Sequence, residues 1–390
     1  MTGSHTLPEG ISCRLLSYGD LTASDLERWR ALCHGHETYD SALLTPEFAY
    51  LVARVREDVR IAVFERGDQL EAVFACHLRP DGLARPLGAP FSDYTGPVFS
   101  RDTKLSLTAM LKAAGIAAYE TVSMPDPWDK VVGVAPGEAG ADGKESHVIR
   151  LGGQDTSTFL EAQRTLHPKR FKNFRRLASQ LQRDIGTPHL RWGKPSADEF
   201  DLLMAYKSQQ YRQSGLVDVT AATQPRRLLE AVAASEHGFC VSLWVNDTLI
   251  SGHFGLRVGT SFHPWIAAFN PAFSHYSPGN LLLLLALQNL TEMGIATYDL
   301  ANGHDHYKKY FANASRPAKP VFATGGGVKA WRHRANRHVW QIVGASAPSS
   351  ATARLKRRMD QIAVSEFAIL PRIRAFAYAV LARALLRRKV

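Results

Sequence analysis

The chain's 390 residues are enough for two domains of ordinary size, each with its own core, and a composition 45% hydrophobic and 21% charged excludes collagen-like and disordered classes. The four cysteines, Cys13, Cys33, Cys76 and Cys240, are scattered without a CxxC pair, which speaks against a disulfide framework or a cysteine zinc site and for a reducing cytoplasm. The net charge of +11 lies wholly in the tail: from Trp331 onward 13 Lys and Arg face only Asp360 and Glu366, while residues 1–330 carry 34 charges of each sign. A neutral body that does chemistry, joined to an arm that meets something anionic, fits this pattern. Residues 1–10 show no basic region followed by an apolar core, so a signal peptide is not expected.

In chain order, apolar periodicity predicts a strand over 14–18, helices over 21–33 and 45–56, and a hairpin of strands 59–65 and 69–79 turning at Gly67-Asp68. A Gly/Pro-rich loop, a helix over 103–114 and a strand over 117–122 follow. The stretch 136–144, rich in Gly, Ala and acid, reads as a linker or exposed loop. Beyond it come a basic helix over 158–183, a short strand over 189–192, helices over 198–214 and 225–235, and strands over 239–245, 249–258 and 261–269. A helix over 279–293 and a strand over 295–301 complete the second half.

Gly115-Ile116-Ala117-Ala118-Tyr119-Glu120 returns 179 residues later as Gly294-Ile295-Ala296-Thr297-Tyr298-Asp299, and the same offset carries the turn Gly67-Asp68 onto Asn246-Asp247. A hairpin and a helix-to-strand joint in one register predict two copies of a single α+β unit. The units are placed at 1–150 and 151–330, with a basic helical arm over 331–390.

The five consecutive leucines Leu281–Leu285 require a helix buried on all sides. Before them, Ser277-Pro278-Gly279-Asn280 offers a hydroxyl cap, a first-turn proline and a glycine that lets backbone approach a ligand, which suits phosphate binding at a helix N-terminus. On the strand over 249–258, alternation points His253 away from the most apolar face, between small residues that leave room for a ligand. Its counterpart in the first unit is Phe74, so only the later copy has a proton-transfer group there. Pro264 should break the strand over 261–269 and free amides of Trp265, Ile266, Ala267 and Ala268 for a bound carbonyl. After Asp299 comes a run dense in titratable groups, Gly303-His304-Asp305-His306-Tyr307-Lys308. Adjacent positions such as His304, Asp305 and His306 rarely aim at one centre, so no metal site is expected.

These residues resemble a known family. The run Tyr276-Ser277-Pro278-Gly279 with its leucines, then Tyr298-Asp299, Gly303, Tyr307-Lys308 and Phe311, is similar to GNAT-superfamily acetyltransferases of the CelD type, associated with bacterial cellulose and exopolysaccharide synthesis. Those resemble in turn the Fem-type transferases, built from two tandem GNAT-like domains. Ser92-Asp93-Tyr94 with Gly96-Pro97, and the basic helix with Lys169, Arg170, Asn173 and Arg176, match further parts of the pattern over most of residues 15–325. The resemblance implies an α+β fold of two tandem GNAT-like domains with mixed, largely antiparallel sheets, the first one degenerate. It also implies acyl-CoA, normally acetyl-CoA, held at Trp265–Ala268 and at Ser277, Gly279 and Asn280, although one glycine and a proline replace the family's richer pyrophosphate loop.

The expected activity is acyl transfer to an amine or hydroxyl on a sugar of a surface polysaccharide or its lipid-linked precursor. His253, or Asp299 through water, would take the acceptor proton, strand amides would stabilise the oxyanion, Tyr307 would protonate the leaving thiolate and Lys308 would bind acceptor or CoA phosphate. Alternatives are a Fem-like transferase using charged tRNA, and a non-catalytic effector whose arm arginines bind a cyclic dinucleotide. The arm could equally lie on an anionic membrane face, giving a cytoplasmic protein peripheral to the inner membrane; its longest uncharged stretch, 375–382, is too short to span a bilayer.

Overall fold

In the computed structural model, which describes residues 7–131, 135–136, 146–214, 218–302 and 307–346, the chain begins with β1 (Ile11–Leu16), α1 (Ala23–His34), α2 (Pro46–Val55), β2 (Val59–Arg66), β3 (Gln69–Leu78), β4 (Leu83–Pro86), β5 (Val98–Phe99), α3 (Leu107–Ala113), β6 (Ala118–Met124) and β7 (Ala135–Pro136). The second half contributes β8 (Ser146–Arg150), α4 (Thr156–Leu166), α5 (Pro168–Asp184), β9 (Pro188–Gly193), α6 (Ala197–Gln213), α7 (Thr223–Ala234), β10 (Gly238–Val245), β11 (Thr248–Val258), β12 (Ser261–Phe269), α8 (Pro278–Gln288), β13 (Thr297–Asn302), β14 (Lys319–Thr324) and α9 (Gly327–Ser346). Polar caps set several helix starts. Thr22 accepts from the amide of Asp25, whose carboxylate returns to the Thr22 amide, and Thr45 precedes Pro46 at α2.

The helix expected over 158–183 is broken into α4 and α5. His167 stands before Pro168, whose ring disfavours the helical region for its neighbour, and His167 adopts φ −130°, ψ 52°. The helix expected through 293 ends at Gln288, and the apolar Leu290 and Met293 are buried in the following turns. Beyond Pro136 the expected linker lies outside the described residues, as does the arm beyond Ser346.

The strands form two sheets, ordered β1-β2-β3-β4-β6-β14-β7 with β5 on β3, and β8-β13-β12-β11-β10-β9. Two strands cross the boundaries drawn from the sequence. β8 lies before 151 yet pairs with β13, Thr297 facing Arg150; β14 lies within 151–330 yet pairs with β6, Ala118 facing Thr324. Each half thus completes its sheet with a strand from the other half of the chain. A single apolar cluster also runs through both: Phe48, Leu51 and Val52 of α2 pack with Leu203 of α6, Leu228 and Leu229 of α7 and Phe254 of β11. The sheet pairing and this shared core hold the two units to each other.

The repeat read from the sequence is a structural repeat. Gly115 and Gly294 both take left-handed φ, 66° and 64°, as do Gly67 at 57° and Asn246 at 51°. Ile116 and Ile295 donate to Leu111 and Leu290, and Gly115 and Gly294 to Lys112 and Thr291, four helix-end bonds at the same 179-residue offset. A parallel strand pair follows in each, Leu83 with Ala118 and Ser261 with Thr297.

Gly255 is where β11 lets β12 come close. A Cβ there would lie 2.1 Å from the carbonyl oxygen of His263 and 2.6 Å from Cα of Pro264. Gly255→Ala is expected to cost about 3 kcal/mol by overpacking backbone against backbone. Urea unfolding should show the lowered midpoint; an unchanged midpoint would show that β12 can shift freely there.

Candidate active site

β12 and β13 pair at only two positions, Ser261 with Thr297 and Phe262 with Tyr298, and then diverge, β13 keeping β8 on its far edge. The break expected at Pro264 falls at its neighbour: Gly255 faces Pro264 and Phe254 faces Ile266, leaving Trp265 as the bulge. The amide of Asn270 donates to the carbonyl of Ile250. By ladder alternation Ala268 and Ile266 therefore bond β11, and Ala267 turns its amide toward the diverging edge. The outcome for the four expected amides is therefore specific: Ala267 offers one to the crevice, whereas those of Ile266 and Ala268 belong to the ladder. Trp265 meets the first unit instead, its ring centroid 5.7 Å from Phe48 and 5.4 Å from Phe91.

At the head of α8 the hydroxyl cap expected from Ser277 is not made. Ser277 is left-handed, φ 52°, and its carbonyl accepts from both Asn280 and Leu281. Pro278 has no N–H, so Gly279 is the amide this end offers, and a Cβ on Gly279 would meet nothing within 4 Å. Ala301, at the end of β13, is a second left-handed non-glycine residue, φ 59°. Such backbone strain costs about 1–3 kcal/mol each; Ser277 precedes α8 and Ala301 ends β13, while Asp129 and the turn residue Asn246 share the conformation elsewhere.

The four expected catalytic residues divide between two sides of β13. His253 is not in open space: it is 3% exposed and its Nδ1 lies 2.7 Å from the Tyr298 hydroxyl, on the side covered by α8. Ala267, opposite His253 on β12, is small enough to leave room for that contact. Burial, then the positive charges of Lys308 and Lys207, lowers the His253 pKa to about 3, so the ring is neutral at pH 7. Lys308 is itself buried, and Tyr307 packs beside Tyr298 against the core around α8. Gly303, His304, Asp305 and His306 lie outside the described residues. Among the described residues no group of three or more His, Cys, Asp or Glu could hold a metal ion.

Asp299 faces the other way and is fully engaged, which corrects its expected role as a base. Its Oδ1 accepts from the Tyr94 hydroxyl at 3.0 Å and the Ala301 amide at 2.9 Å, and Oδ2 accepts from Nε of Arg316 at 3.3 Å. Burial would raise its pKa, but His263 and Arg316 hold it down at about 2, too low for an effective proton acceptor near neutrality.

The sequence reading missed the group that stands next to it. His263 of β12 lies between two carboxylates, Nε2 donating to Asp93 at 2.9 Å and Nδ1 standing 3.8 Å from Asp299. Burial opposes a charged ring, yet the two carboxylates outweigh it and raise the pKa to about 9. Asp93 comes from the first unit and is its most accessible member, 34% exposed against 1% for His263 and Asp299. Nearby on α6, burial with the charges of Asp218 and Asp93 pushes the Tyr211 hydroxyl up to about 12, and Lys207 lies 5.2 Å over the Tyr211 ring while donating to the Ala267 carbonyl. Besides Asp299, the sequence signal for this cluster was Ser92-Asp93-Tyr94; nothing in the local pattern marked His263 or Arg316.

The same segment closes the corresponding gap in the first unit. The Thr95 amide donates to Ser123 of β6 and the Ser123 hydroxyl to the Asp93 carbonyl. One loop thus fills the first crevice and lines the second.

Residues 168–309, which include α5 to β13, match the family model of the acetyltransferase (GNAT) domain. Among solved structures the chain is similar to FemX, with 12% identity over 79% of this chain and 96% of that one at a TM-score of 0.53. It also matches a tandem GNAT protein from the clavulanic acid biosynthesis pathway, at 11% identity over 81% and 99% and a TM-score of 0.45. A third is the C-terminal domain of a putative lysylphosphatidylglycerol synthetase from Agrobacterium fabrum, at 13% identity over 81% and 96% and a TM-score of 0.46. No curated protein matches the chain. At these identities the likeness, carried by FemX, is one of fold: α+β, with two GNAT-like domains.

His263 gives a pH signature. Its folded pKa lies above its ordinary value of 6.5, so its contribution to stability is complete below pH 6.5 and is lost as pH rises toward about 9. The urea midpoint should fall across that window, and His263→Gln should flatten the fall. A wild-type midpoint that stays level between pH 6.5 and 9 would contradict the charged assignment.

Proposed function

We propose that the second unit transfers an acyl group from acyl-CoA, with acetyl-CoA as donor, to an amine or hydroxyl on a sugar of a bacterial surface polysaccharide or its lipid-linked precursor. The observation that carries this reading is the divergence of β12 from β13 after two pairs, with the outward amide of Ala267 on the edge so freed and Asp93 of the first unit held at His263 of β12. The family match over residues 168–309 falls on this unit and supports the reaction class.

The donor fits these residues in part. The amide of Gly279, with open space above it and the positive end of α8 behind it, suits a phosphate oxygen, while Ser277 and Asn280 have spent the groups first expected of them. Bound acyl-CoA would supply an activated thioester. The Ala267 amide would donate to the oxygen that gains charge as the acyl carbon is attacked. Lys207, bound to the Ala267 carbonyl, fixes the 267–268 peptide of that edge.

Asp93 is the proton acceptor in this scheme. Its Oδ2 is held by the charged His263, which Asp299 supports from behind. Tyr307, on the α8 side near Tyr298, protonates the departing thiolate, and Lys308 beside it meets anionic groups of donor or acceptor. His253 acts as a positioning residue that holds the Tyr298 hydroxyl.

A second reading keeps the fold and takes charged tRNA as donor. It is favoured by the row of exposed cations on α5, Lys169, Arg170, Lys172, Arg175 and Arg176. Turnover with aminoacyl-tRNA and none with acetyl-CoA would select it.

Asp93→Asn is expected to lower kcat for acetyl transfer, followed by thiol release, about 100-fold while leaving the Kd for acetyl-CoA unchanged; an unaltered kcat would remove Asp93 from the scheme. Gly279→Asp adds a charge that suits the start of α8 yet repels phosphate, so the protein should unfold no earlier while acetyl-CoA binds about tenfold more weakly by calorimetry. Equal affinity in that variant would place the phosphates elsewhere.

A further inference from the structure

One face of α9 packs on the first unit. Ala330 is fully buried, His333 Nε2 lies 3.3 Å from the Asp81 carbonyl, and the Arg337 guanidinium stands 4.2 Å over the Phe322 ring. Lys329 adds a bond to the Pro80 carbonyl at 3.0 Å. Residues 330, 333 and 337 recur at helical spacing, which fixes the orientation of the helix.

The opposite face is apolar and exposed. Val328 is 84% exposed, Trp331 67%, Val339 57% and Ile342 54%. With Ala335 between them, the steps of three, four, four and three residues make one continuous stripe. Exposed cationic groups border it, Arg332 on one side and Arg334 on the other. Soluble surfaces seldom leave so regular an apolar row uncovered. The whole excess charge of the chain lies in the same part of the sequence, and residues 347–390 add ten Lys and Arg against two acids.

We propose that α9 lies flat on an anionic phospholipid surface, its stripe of Val328, Trp331, Val339 and Ile342 set among the headgroups and its arginines against the phosphates. An apolar stripe with basic borders and a neutral body behind it is the pattern of an interfacial helix. Among the described residues no helix is long and apolar enough to cross a membrane, so the contact is one of lying on rather than spanning. A second copy fits less well, because pairing two such stripes brings arginine borders of like charge together. A nucleic acid would use the arginines and leave the apolar row without a partner. The inference is independent of which acyl donor the second unit uses.

The test is flotation of the full chain with vesicles of phosphatidylcholine alone or with about 30% phosphatidylglycerol. The protein should float with the anionic vesicles and stay down with the neutral ones. The double variant Val328→Asp, Trp331→Asp should cut the floated fraction at least tenfold with an unchanged thermal unfolding midpoint, both sites being exposed. Failure of the full chain to float on anionic vesicles overturns the proposal, and so does equal flotation of the double variant. Sedimentation of a dimer that the same substitutions dissociate, without flotation, would assign the stripe to a second copy instead.

Discussion

Burying a guanidinium costs several kcal/mol unless its donors are matched, and Arg316, with no exposed surface, is matched on every nitrogen. It donates to the carbonyls of Glu37, Thr38 and Asp40, to the carboxylate of Asp299, and lies 5.0 Å over the Tyr94 ring. The carbonyls and Tyr94 belong to the first unit, Asp299 to the sheet of the second. Its own amide donates to the Ser146 hydroxyl at the start of the crossing strand β8, and that hydroxyl donates to the Arg316 carbonyl. One side chain therefore fixes the first unit, β8 and β13 together, and through Tyr94 it sets the neighbouring Asp93 against His263. Removing the arginine would take one cation from the buried Asp299 and leave the carbonyls of Glu37, Thr38 and Asp40 without this donor, so the loss would be felt in both units at once.

The duplicated scaffold is used unequally. Both copies keep the helix end, the left-handed glycine and the short parallel strand pair. In the first, β4 is four residues long and the 93–95 segment bonds along β6. In the second, β12 runs nine residues, bulges at Trp265 and parts from β13. The two copies thus differ in how the strands beside the parallel pair continue. The segment that bonds along β6 in the first unit also reaches His263 of β12 in the second.

Sequence pattern carried the elements well where local chemistry decides them. The hairpin turns at Gly67 and Asn246, the leucine helix and the repeat itself follow from period, turn residues and helix-end glycines. Pattern failed where a single neighbour overrides it, as at His167 before Pro168. It failed more deeply where partners are far apart in the chain: β14 joins β6 across some two hundred residues, and no alternation reveals that. The same distance hid the site. His253 looked open because its strand neighbours are small, yet Tyr298 of β13 closes over it; Asp299 looked available because its partners Tyr94 and Arg316 come from elsewhere. The place of Gly279 in the first turn of α8 was legible, since glycine after proline at a helix start has a local meaning.

The central claim is that only the later copy holds a nucleotide thioester, between β12 and β13. Hydrogen exchange with and without acetyl-CoA reads this directly, amide by amide. Slowed exchange at Ala267 and at Gly279, with no change along β4 and β6, is the result the structure predicts. Slowed exchange along β4 and β6, or no change at Ala267 and Gly279 under saturating acetyl-CoA, would contradict it.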